Sequence, residues 1–381
     1  MAKTVRYTYP AMKRFCEDAF CKFGFTEEES AQITDVLLKS DMYGISSHGM
    51  QRLVRYHKCI ANGMIKVEAK PEVVFETPVS AVIDAHDGMG QIVSVKAMKM
   101  AIEKAKTSGI AIVTVRNSNH YGIAGYYAEM AAKEGLIGAS VTNTTALMVP
   151  TFGRKAMLGS NPIAVAMPAD PYPFFFDAST TVVTRGKLEV YNKLEKPLPI
   201  GWAVDETGTA TEDAPRVLKN IDNKAGGGIL PLGGHTEPMG SHKGYGYAML
   251  CEIFSSIISL GKTSNHTYEN GKCEVCHGFI AIDPKIFGDP DEIKAHFSNF
   301  LQELRESPKA EGQERIYTHG EKEVEAYADR MENGFDVNIN TVVEMKNLCD
   351  FLGFDYKEYL GDVDFSDASK NLYVQTLGAK Q

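Results

Sequence analysis

The chain has 381 residues, of which 44% are hydrophobic and 23% are charged. This length and composition predict a globular protein with room for two domains, and they exclude a largely disordered chain. The formal net charge of −9 argues against nucleic acid as the main partner, because phosphate binding needs clustered lysine and arginine.

Signals for export or membrane insertion are not visible in the sequence. The basic N-terminal residues are not followed by an apolar segment, and no run of about 18 apolar residues occurs. The seven cysteines are odd in number and scattered, which favours reduced thiols. We therefore expect a cytoplasmic protein that makes no membrane contact.

The first part of the chain has the periodicity of helices. Apolar residues at helical spacing predict a helix over residues 10–24. Thr26 and Glu29 form a capping-box pattern that should start a second helix, ending near Met42. A third helical run covers residues 53–62. These segments predict a helical layer.

The pattern changes at about residue 71, where short β-rich runs alternate with helical ones. Residues 197–222 read as a loop-rich insertion with a short strand at 202–205. The predicted strands cover residues 73–75, 81–84, 110–115, 136–142, 163–167, 174–176 and 278–283. The predicted helices of this part cover residues 93–108, 123–134 and 242–260.

From residue 291 onward the pattern is mainly helical and ends in a polar tail. We expect an α/β fold with a mixed sheet over residues 71–294. Residues 1–70 and 295–381 are expected to pack together as one mainly helical, discontinuous domain.

The stretch Gly44–Arg52, G-I-S-S-H-G-M-Q-R, gathers groups that suit proton transfer and anion binding. The imidazole of His48 has an ordinary pKa near neutrality, and the Arg52 guanidinium matches a carboxylate with two hydrogen bonds. If the chain is helical from Ser47 onward, His48 and Arg52 share one face. The alternative interpretation is a serine helix cap beside a surface histidine and a solvated arginine.

Three further polar clusters follow predicted strands, where ligand chemistry collects in open α/β sheets. His120 follows the 110–115 strand in V-R-N-S-N-H-Y-G, and Thr144 follows the 136–142 strand. Asp177, followed by three hydroxyl residues, could bind a ribose hydroxyl or orient a histidine. For the clusters of His120 and Asp177, the alternative interpretation is a helix cap.

Lys243 lies between glycines at the start of a predicted helix, in G-S-H-K-G-Y-G. Backbone N–H groups, the helix dipole and one ammonium group would together suit a phosphate. The chain contains neither a Walker motif nor G-x-G-x-x-G. A conventional Rossmann site is therefore disfavoured even if a nucleotide binds.

Cys273–His277 matches C-x-x-C-H, the form of a c-type haem attachment site. Haem attachment of that kind goes with export, and a structural zinc site needs four ligands, for which only His266 could be added. The interpretation we favour is chance cysteines in a loop, with a metalloprotein as the alternative.

With these clusters together, the chain resembles the type 2 malate/L-lactate dehydrogenase family from about Met12 to Phe351. Members of that family also act on sulfolactate, ureidoglycolate, 2,3-diketogulonate and cyclic imines. The matching segments, in chain order, are G-I-S-S-H-G-M-Q-R, V-R-N-S-N-H-Y-G-I-A-G, L-G-S-N-P-I-A-V-A-M-P, F-D-A-S-T-T-V-V-T-R-G-K, S-H-K-G-Y-G-Y-A, I-A-I-D-P and H-G-E-K-E.

The resemblance implies a non-Rossmann nicotinamide-binding fold and a homodimer, with a site where domains and subunits meet. It implies catalytic roles for His48 and His120. It also implies substrate-binding roles for Ser47, Arg52 and Thr144. The implied cofactor-binding residues are Asp177, Ala178, Ser179, Lys243, His319, Gly320 and Glu321.

Two positions depart from the family pattern. His319 stands where the family often has proline, and Gly153–Arg154 replaces a frequent pair of glycines. Whether Arg154, Arg116 or Arg185 provides the second cation that a dicarboxylate needs stays open.

The resulting hypothesis is an NAD(P)-dependent 2-hydroxy-acid dehydrogenase with malate as substrate and NAD favoured over NADP. A protonated histidine would stabilise the developing oxyanion, and the arginine would hold the carboxylate. The alternatives are the same chemistry on L-lactate, sulfolactate, ureidoglycolate or a cyclic imine acid, and a non-catalytic nucleotide-binding protein.

Overall fold

A computed structural model describes residues 4–366 and Ala368. This part of the chain divides into two compact units. A helical unit comprises the residues up to Glu68 and those from Ser307 onward, and an α/β unit comprises Ala69–Glu306. None of the described helices has both the length and the apolar character that crossing a membrane requires.

The strands of the described residues are numbered in chain order. They are β1 (Thr4–Tyr7), β2 (Glu72–Thr77), β3 (Ser80–Asp84), β4 (Ile110–Ser118), β5 (Ile137–Thr142), β6 (Ile163–Met167), β7 (Phe174–Ala178), β8 (Ala203–Val204), β9 (Gly228–Ile229), β10 (Val275–Ile282) and β11 (Phe335–Asn338).

The α-helices of the described residues are numbered in the same way. They are α1 (Tyr9–Phe23), α2 (Glu27–Met42), α3 (Leu53–Ala61), α4 (Gly90–Ser108), α5 (Gly125–Lys133), α6 (Arg185–Lys193), α7 (Ala214–Asp222), α8 (Ser241–Glu252), α9 (Pro290–Glu306), α10 (Glu321–Asn333), α11 (Ile339–Leu352) and α12 (Tyr356–Leu360).

A mixed sheet forms the centre of the α/β unit. Its order within the described residues is β2-β3-β4-β10-β5-β6-β7. β3 and β4 are parallel, whereas β10 is antiparallel to both of its neighbours, β4 and β5. An antiparallel strand at the centre departs from the parallel Rossmann arrangement. The predicted α/β fold with a mixed sheet is thus confirmed.

Close backbone contacts fix how the helices cover this sheet. A Cβ on Gly278 of β10 would lie 2.0 Å from the Phe254 carbonyl oxygen, so the π-helical turn Ile253–Ile257 after α8 packs directly on the central strand. A Cβ on Gly90 would lie 2.3 Å from the Asn119 carbonyl oxygen. Glycine is needed at both positions because the neighbouring atoms belong to the backbone.

The capping box predicted at the start of α2 is present. Thr26 Oγ1 accepts the Glu29 N–H at 3.2 Å, and Glu29 Oε2 accepts the Thr26 N–H at 3.0 Å. β1 and β11 pair antiparallel over Thr4↔Asn338 to Tyr7↔Phe335. This pairing, which the sequence did not predict, joins the N-terminal and C-terminal segments of the helical unit.

The insertion predicted as loop-rich over residues 197–222 contains the helix α7, so that prediction is corrected, and α6 lies just before it. Asp213 is the N-cap residue of α7, and its carboxylate accepts the Arg216 N–H. A proline lies in the first turn of this helix. These helices bury a small core of their own. It includes Leu188, Leu198, Val217, Leu218, Ile221 and Ile229.

The unit boundaries differ from those predicted, because α9 lies with the α/β unit although residues 295 onward were expected in the helical domain. Its Phe297 ring packs edge-on against Phe174 of β7, and Lys294 pairs with Asp170 at 2.8 Å. The apolar face of α9 therefore covers the β6–β7 region. The polar tail predicted at the end of the chain falls outside the described residues.

Candidate functional site

The Gly44–Arg52 stretch lies in the helical unit, directly after α2. It forms two 3₁₀ turns, Ser46–His48 and Met50–Arg52, on either side of Gly49. The extended ψ of −141° at Gly49 interrupts the helical path. The single helical face considered for His48 and Arg52 is therefore not formed.

A buried carboxylate explains the glycine in this turn. Asp41 in the last turn of α2 is 4% exposed, and its Oδ2 accepts the Met50 N–H at 2.7 Å. A Cβ on Gly49 would lie 2.1 Å from the Asp41 carboxyl group. Burial raises the pKa of Asp41 to about 7, against the opposing effects of the Met50 N–H and Arg330. Arg330 also donates to the Asp41 backbone carbonyl. The turn thus rests on a carboxylate that leaves no room for a side chain.

Ser47, His48 and Arg52 are brought together on this turn. Ser47 Oγ lies 2.9 Å from His48 Nδ1, and Arg52 Nε donates to the Ser47 carbonyl at 2.7 Å. Burial, followed by the charges of Arg52 and Arg55, lowers the pKa of His48 to about 3. A neutral imidazole beside guanidinium groups suits a proton acceptor in an anion-binding site.

The His319–Glu321 turn also belongs to the helical unit, at the start of α10. His319 is exposed, and Gly320 has the left-handed φ of 107°. Glu321 is fully buried and accepts from the backbone N–H and Oγ1 of Thr318, at 2.9 and 2.6 Å. Arg315 also donates to it. Of the three predicted cofactor residues, Glu321 has a structural task within the turn.

The topology of the α/β unit gathers the other candidates at one edge of its sheet. β10 runs opposite to β4 and β5, so its first residues lie where those two strands end. β6 begins, and β7 ends, at this same edge. The edge therefore carries the segments that contain His120, Thr144 and Asp177–Ser179.

His120 follows β4 in a turn of buried polar groups. The Gly122 N–H donates to His120 Nδ1 at 3.3 Å, so this nitrogen acts as an acceptor. Just before it, the buried Asn119 amide donates to the carbonyls of Asp87 and Gly88, at 2.8 and 3.0 Å. These bonds fix the loop that carries the imidazole.

Thr144 lies against the segment that precedes β6. Its Oγ1 accepts the Ser160 N–H at 3.0 Å, and its own N–H donates to Asn161 Oδ1 at 3.1 Å. A Cβ on Gly159 would lie 2.1 Å from Thr144 Oγ1. The L-G-S-N-P segment therefore forms one rigid polar surface with Thr144.

Glu252, which is 2% exposed, joins these loops beneath the edge. Its carboxylate accepts from the side-chain amides of Asn143 and Asn161, at 3.2 and 3.1 Å. It also accepts from the hydroxyls of Ser256, at 2.5 Å, and Ser264. A buried carboxylate needs such a full set of donors.

The predicted cofactor run Asp177–Ser179 lies at the end of β7. Asp177 Oδ2 accepts the Gly125 N–H at 2.7 Å, and so caps α5. Ser179 Oγ donates to the Ser160 carbonyl at 3.1 Å and lies 2.5 Å from Thr181 Oγ1. Ala178 pairs with Ile163. Asp177 therefore caps a helix, but one that precedes it in the chain and not the following one that the alternative interpretation considered.

Lys243 is exposed in the first turn of α8. Two glycines allow the start of this helix to lie against the backbone of the preceding loop. A Cβ on Gly244 would lie 2.4 Å from Leu232 N, and one on Gly233 would lie 2.3 Å from Gly240 C. The Lys243 ammonium makes no ion pair with any described residue. The start of a twelve-residue helix with this lysine fits the phosphates of a dinucleotide.

The C-x-x-C-H segment is partly in β10 and was wrongly read as a loop. Cys273, Cys276 and His277 are all buried. His277 bonds to hydroxyl and backbone oxygens through both ring nitrogens. Within the described residues, no three His, Cys, Asp or Glu side chains gather as a metal site.

Two of the three arginines considered as a second cation already have carboxylate partners. Arg116 pairs with Asp84 at 3.1 Å, and Arg185 pairs with Glu189 and Asp222. Arg154 is exposed and makes no ion pair with any described residue.

The sequence did not reveal that a set of buried polar groups holds the candidate residues in place. They are Asp41, Asn143, Asn161, Glu252 and His277. A signal existed for Glu252, the single acidic residue of α8, because an acid at the apolar end of a helix must have buried partners or reach solvent.

Comparison with known proteins identifies the family of this chain. Residues 7–346 match the model of the malate/L-lactate dehydrogenase family. The malate dehydrogenase of Pyrococcus abyssi is 41% identical over 92% of this chain and 95% of its own length. The L-sulfolactate dehydrogenase of Methanocaldococcus jannaschii is 37% identical over 91% of this chain and 97% of its own.

The solved structure of malate dehydrogenase from Entamoeba histolytica superposes with a TM-score of 0.88. It is 38% identical and covers 92% of this chain and 99% of its own. This chain therefore belongs to the malate/L-lactate dehydrogenase family. It is a hydroxy-acid dehydrogenase, an enzyme that acts on a CH–OH group with a nicotinamide cofactor.

Replacing Gly49 by alanine tests the support of the His48 turn. We expect Gly49→Ala to lower kcat/KM by about tenfold or more, because the added methyl group displaces either the turn or the Asp41 carboxylate. Ser46→Ala, an exposed change in the same turn, should retain activity. Steady-state kinetics and thermal unfolding of both variants check this, and wild-type kinetics in Gly49→Ala would contradict it.

Proposed function

We propose that this enzyme interconverts malate and oxaloacetate with NAD. The observation that carries the proposal is the turn in which Ser47, His48 and Arg52 are held together over the buried Asp41. Such a turn provides a proton carrier and a carboxylate-binding cation on one rigid element. The similarity to malate dehydrogenases from Pyrococcus abyssi and Entamoeba histolytica supports malate as the substrate.

In the proposed reaction, Arg52 binds the carboxylate next to the reacting carbon. During oxidation, His48 Nε2 takes the hydroxyl proton while Nδ1–H donates to Ser47 Oγ and keeps the ring in one tautomer. In the reverse direction, the imidazolium donates that proton to the carbonyl oxygen. A nicotinamide cofactor, when bound, would supply the hydride acceptor for oxidation and the hydride donor for reduction.

In the α/β unit, we assign His120 as the second catalytic histidine and Thr144 as a substrate-binding residue. Ser179 and Lys243 are assigned to the cofactor, with Lys243 and the start of α8 at its phosphates. An acid near a ribose favours NAD, whereas a basic residue favours NADP. Asp177 uses Oδ2 to cap α5, and the run Asp177–Ser179 contains no arginine that would favour NADP, which supports NAD.

L-sulfolactate is the second candidate substrate. The Methanocaldococcus jannaschii relative carries that name at 37% identity. Sulfolactate has the same 2-hydroxy acid group as malate, with a sulfonate in place of the distal carboxylate. The proposed roles of His48 and Arg52 are the same for both substrates.

A substrate panel tests the proposed reaction. We expect oxaloacetate to oxidise NADH faster than pyruvate, sulfopyruvate or a cyclic imine acid does, and NADPH to react more slowly. His48→Ala should lower kcat by about 100-fold or more, because it removes the proton carrier. The nicotinamide absorbance follows every reaction. A faster rate with sulfopyruvate would move the assignment to sulfolactate, and no turnover with any 2-oxo acid would refute it.

The low pKa of His48 predicts a characteristic pH dependence. Since the neutral form already dominates at pH 5, kcat/KM for malate oxidation should be independent of His48 titration between pH 5 and 8. Oxaloacetate reduction needs the protonated form, so its kcat/KM should fall by about tenfold for each pH unit of increase. An acid limb near pH 6.5 in the oxidation profile would show that the pKa of His48 is not lowered.

We further propose that the enzyme is a cytoplasmic homodimer. All seven cysteines are free thiols, which supports a reducing compartment. An exposed apolar stripe supports the dimer: Leu250, Ile253, Ile257 and Leu260 recur at spacings of three and four residues, with exposures of 43, 39, 49 and 86%. Apolar stripes of this kind mark interaction surfaces.

Light scattering after size exclusion tests the dimer and its surface. Wild-type protein should have twice the mass of the chain, and Leu250→Glu with Ile257→Glu should shift it to the monomer. Val190→Glu, at a similarly exposed position on α6, should remain dimeric. A wild-type monomer would refute the proposal, and a dimeric double variant would exclude this surface.

A further inference from the structure

His277 lies where β10 enters the sheet between β4 and β5. On one side it pairs with Thr142 of β5, and on the other with Val115 of β4. The register with β4 shifts between Val275 and His277, where Asn117 on β4 has the left-handed φ of 53°. This β-bulge re-aims the side chains at the ends of the two strands.

The His277 imidazole bonds to both of these strand ends. Its Nδ1 lies 2.8 Å from Thr142 Oγ1, and its Nε2 lies 3.0 Å from Ser118 Oγ and 3.2 Å from the Asn119 carbonyl. The ring is fully buried and stacks on Tyr121, with centroids 4.2 Å apart and planes 5° apart.

These partners flank the assigned site residues in sequence. Asn119 and Tyr121 are the neighbours of His120 on either side, and Thr142 lies two residues before Thr144. The ring therefore contacts both sequence neighbours of His120, the carbonyl of Asn119 and the side chain of Tyr121, and links them to the strand that leads to Thr144.

Burial keeps this imidazole neutral. It lowers the pKa of His277 to about 3, although the Asn119 carbonyl raises it. A neutral ring with one donor and one acceptor satisfies a carbonyl on one side and a hydroxyl on the other. An aliphatic side chain would leave Ser118 Oγ and Thr142 Oγ1 without this shared partner.

We propose that His277 is a positioning residue, which sets the spacing between the strand end that carries His120 and the one that carries Thr144. The inference rests on the proposed function, since it takes His120 and Thr144 as site residues. It gives the histidine of the C-x-x-C-H segment a task that involves neither haem nor metal.

His277→Leu tests the proposal, with His266→Leu as control at an exposed histidine of the same region. We expect His277→Leu to lower kcat by about 10- to 100-fold, because small displacements of catalytic groups cost that much. The Kd for NADH, measured by fluorescence, should stay unchanged because the Lys243 region is not touched. His277→Gln, which retains a donor and an acceptor, should recover part of the rate.

A measurement that does not depend on turnover distinguishes a positioning role of His277 from a general loss of protein stability. With ¹³C-labelled histidine, the His120 ring resonance and its titration should change in folded His277→Leu and stay unchanged in His266→Leu. Thr142→Val and Ser118→Ala remove the partners and keep the ring, so they should lower kcat themselves and add little to His277→Leu. If His277→Leu fails to fold, the kcat values of Thr142→Val and Ser118→Ala still test the positioning role.

The outcomes separate the two proposals. If the wild type reduces 2-oxo acids but kcat and the His120 resonance are unaffected in His277→Leu, the positioning role is refuted and the proposed function stands. A loss of kcat with an equal loss of NADH affinity would also refute it. A wild type that turns over no 2-oxo acid would overturn both.

Discussion

The antiparallel strand at the centre of the sheet is the constraint on which the α/β unit depends. Because β10 opposes both β4 and β5, its first residues and the last residues of its neighbours meet at one edge. The close approach of Gly278 to the Phe254 carbonyl fixes the π-helical turn Ile253–Ile257 over the same strand. Polar loop ends are thus forced into a buried environment, where each donor and acceptor needs a partner.

Two buried groups provide most of those partners. Glu252 collects the amides of Asn143 and Asn161, and His277 joins Thr142 to Ser118. Leaving any of these polar groups unpaired would cost about 1–3 kcal/mol, more for the carboxylate. The network is therefore stable only as a complete set, which keeps the loops bearing His120 and Thr144 in one arrangement.

In the helical unit, a single buried acid holds the loop that carries the candidate residues. Asp41 is buried at the end of α2, and its carboxylate is bound by the Met50 N–H where Gly49 leaves room. The turn that carries His48 and Arg52 is thereby fixed at its base, although its own side chains are partly open to solvent. Arg52, the proposed carboxylate ligand, and Arg55 also disfavour protonation of His48.

Local patterns in the sequence were sufficient for the elements whose signals are local. The Thr26–Glu29 capping box, the periodicity of α1 and the apolar run of β4 each predicted what formed. The pairing of β1 with β11 depends on residues more than 300 positions apart, which no local pattern encodes. In the sequence, His277 is part of a metal-like motif. Its actual partners lie on β4 and β5, and they become its neighbours only because β10 is placed between these two strands. The family motifs located the candidate residues, whereas Asp41 and Glu252, which help to hold them, lie in helices outside those motifs.

The most direct test of the central claim is the fate of the hydrogen on C2 of the substrate. L-malate deuterated at C2 would be incubated with the enzyme and NAD, and the reduced cofactor analysed by mass spectrometry. A hydroxy-acid dehydrogenase of the proposed kind yields singly deuterated NADH, because the hydride passes directly from C2 to the nicotinamide. Reduced cofactor without deuterium, or none at all, would contradict the account.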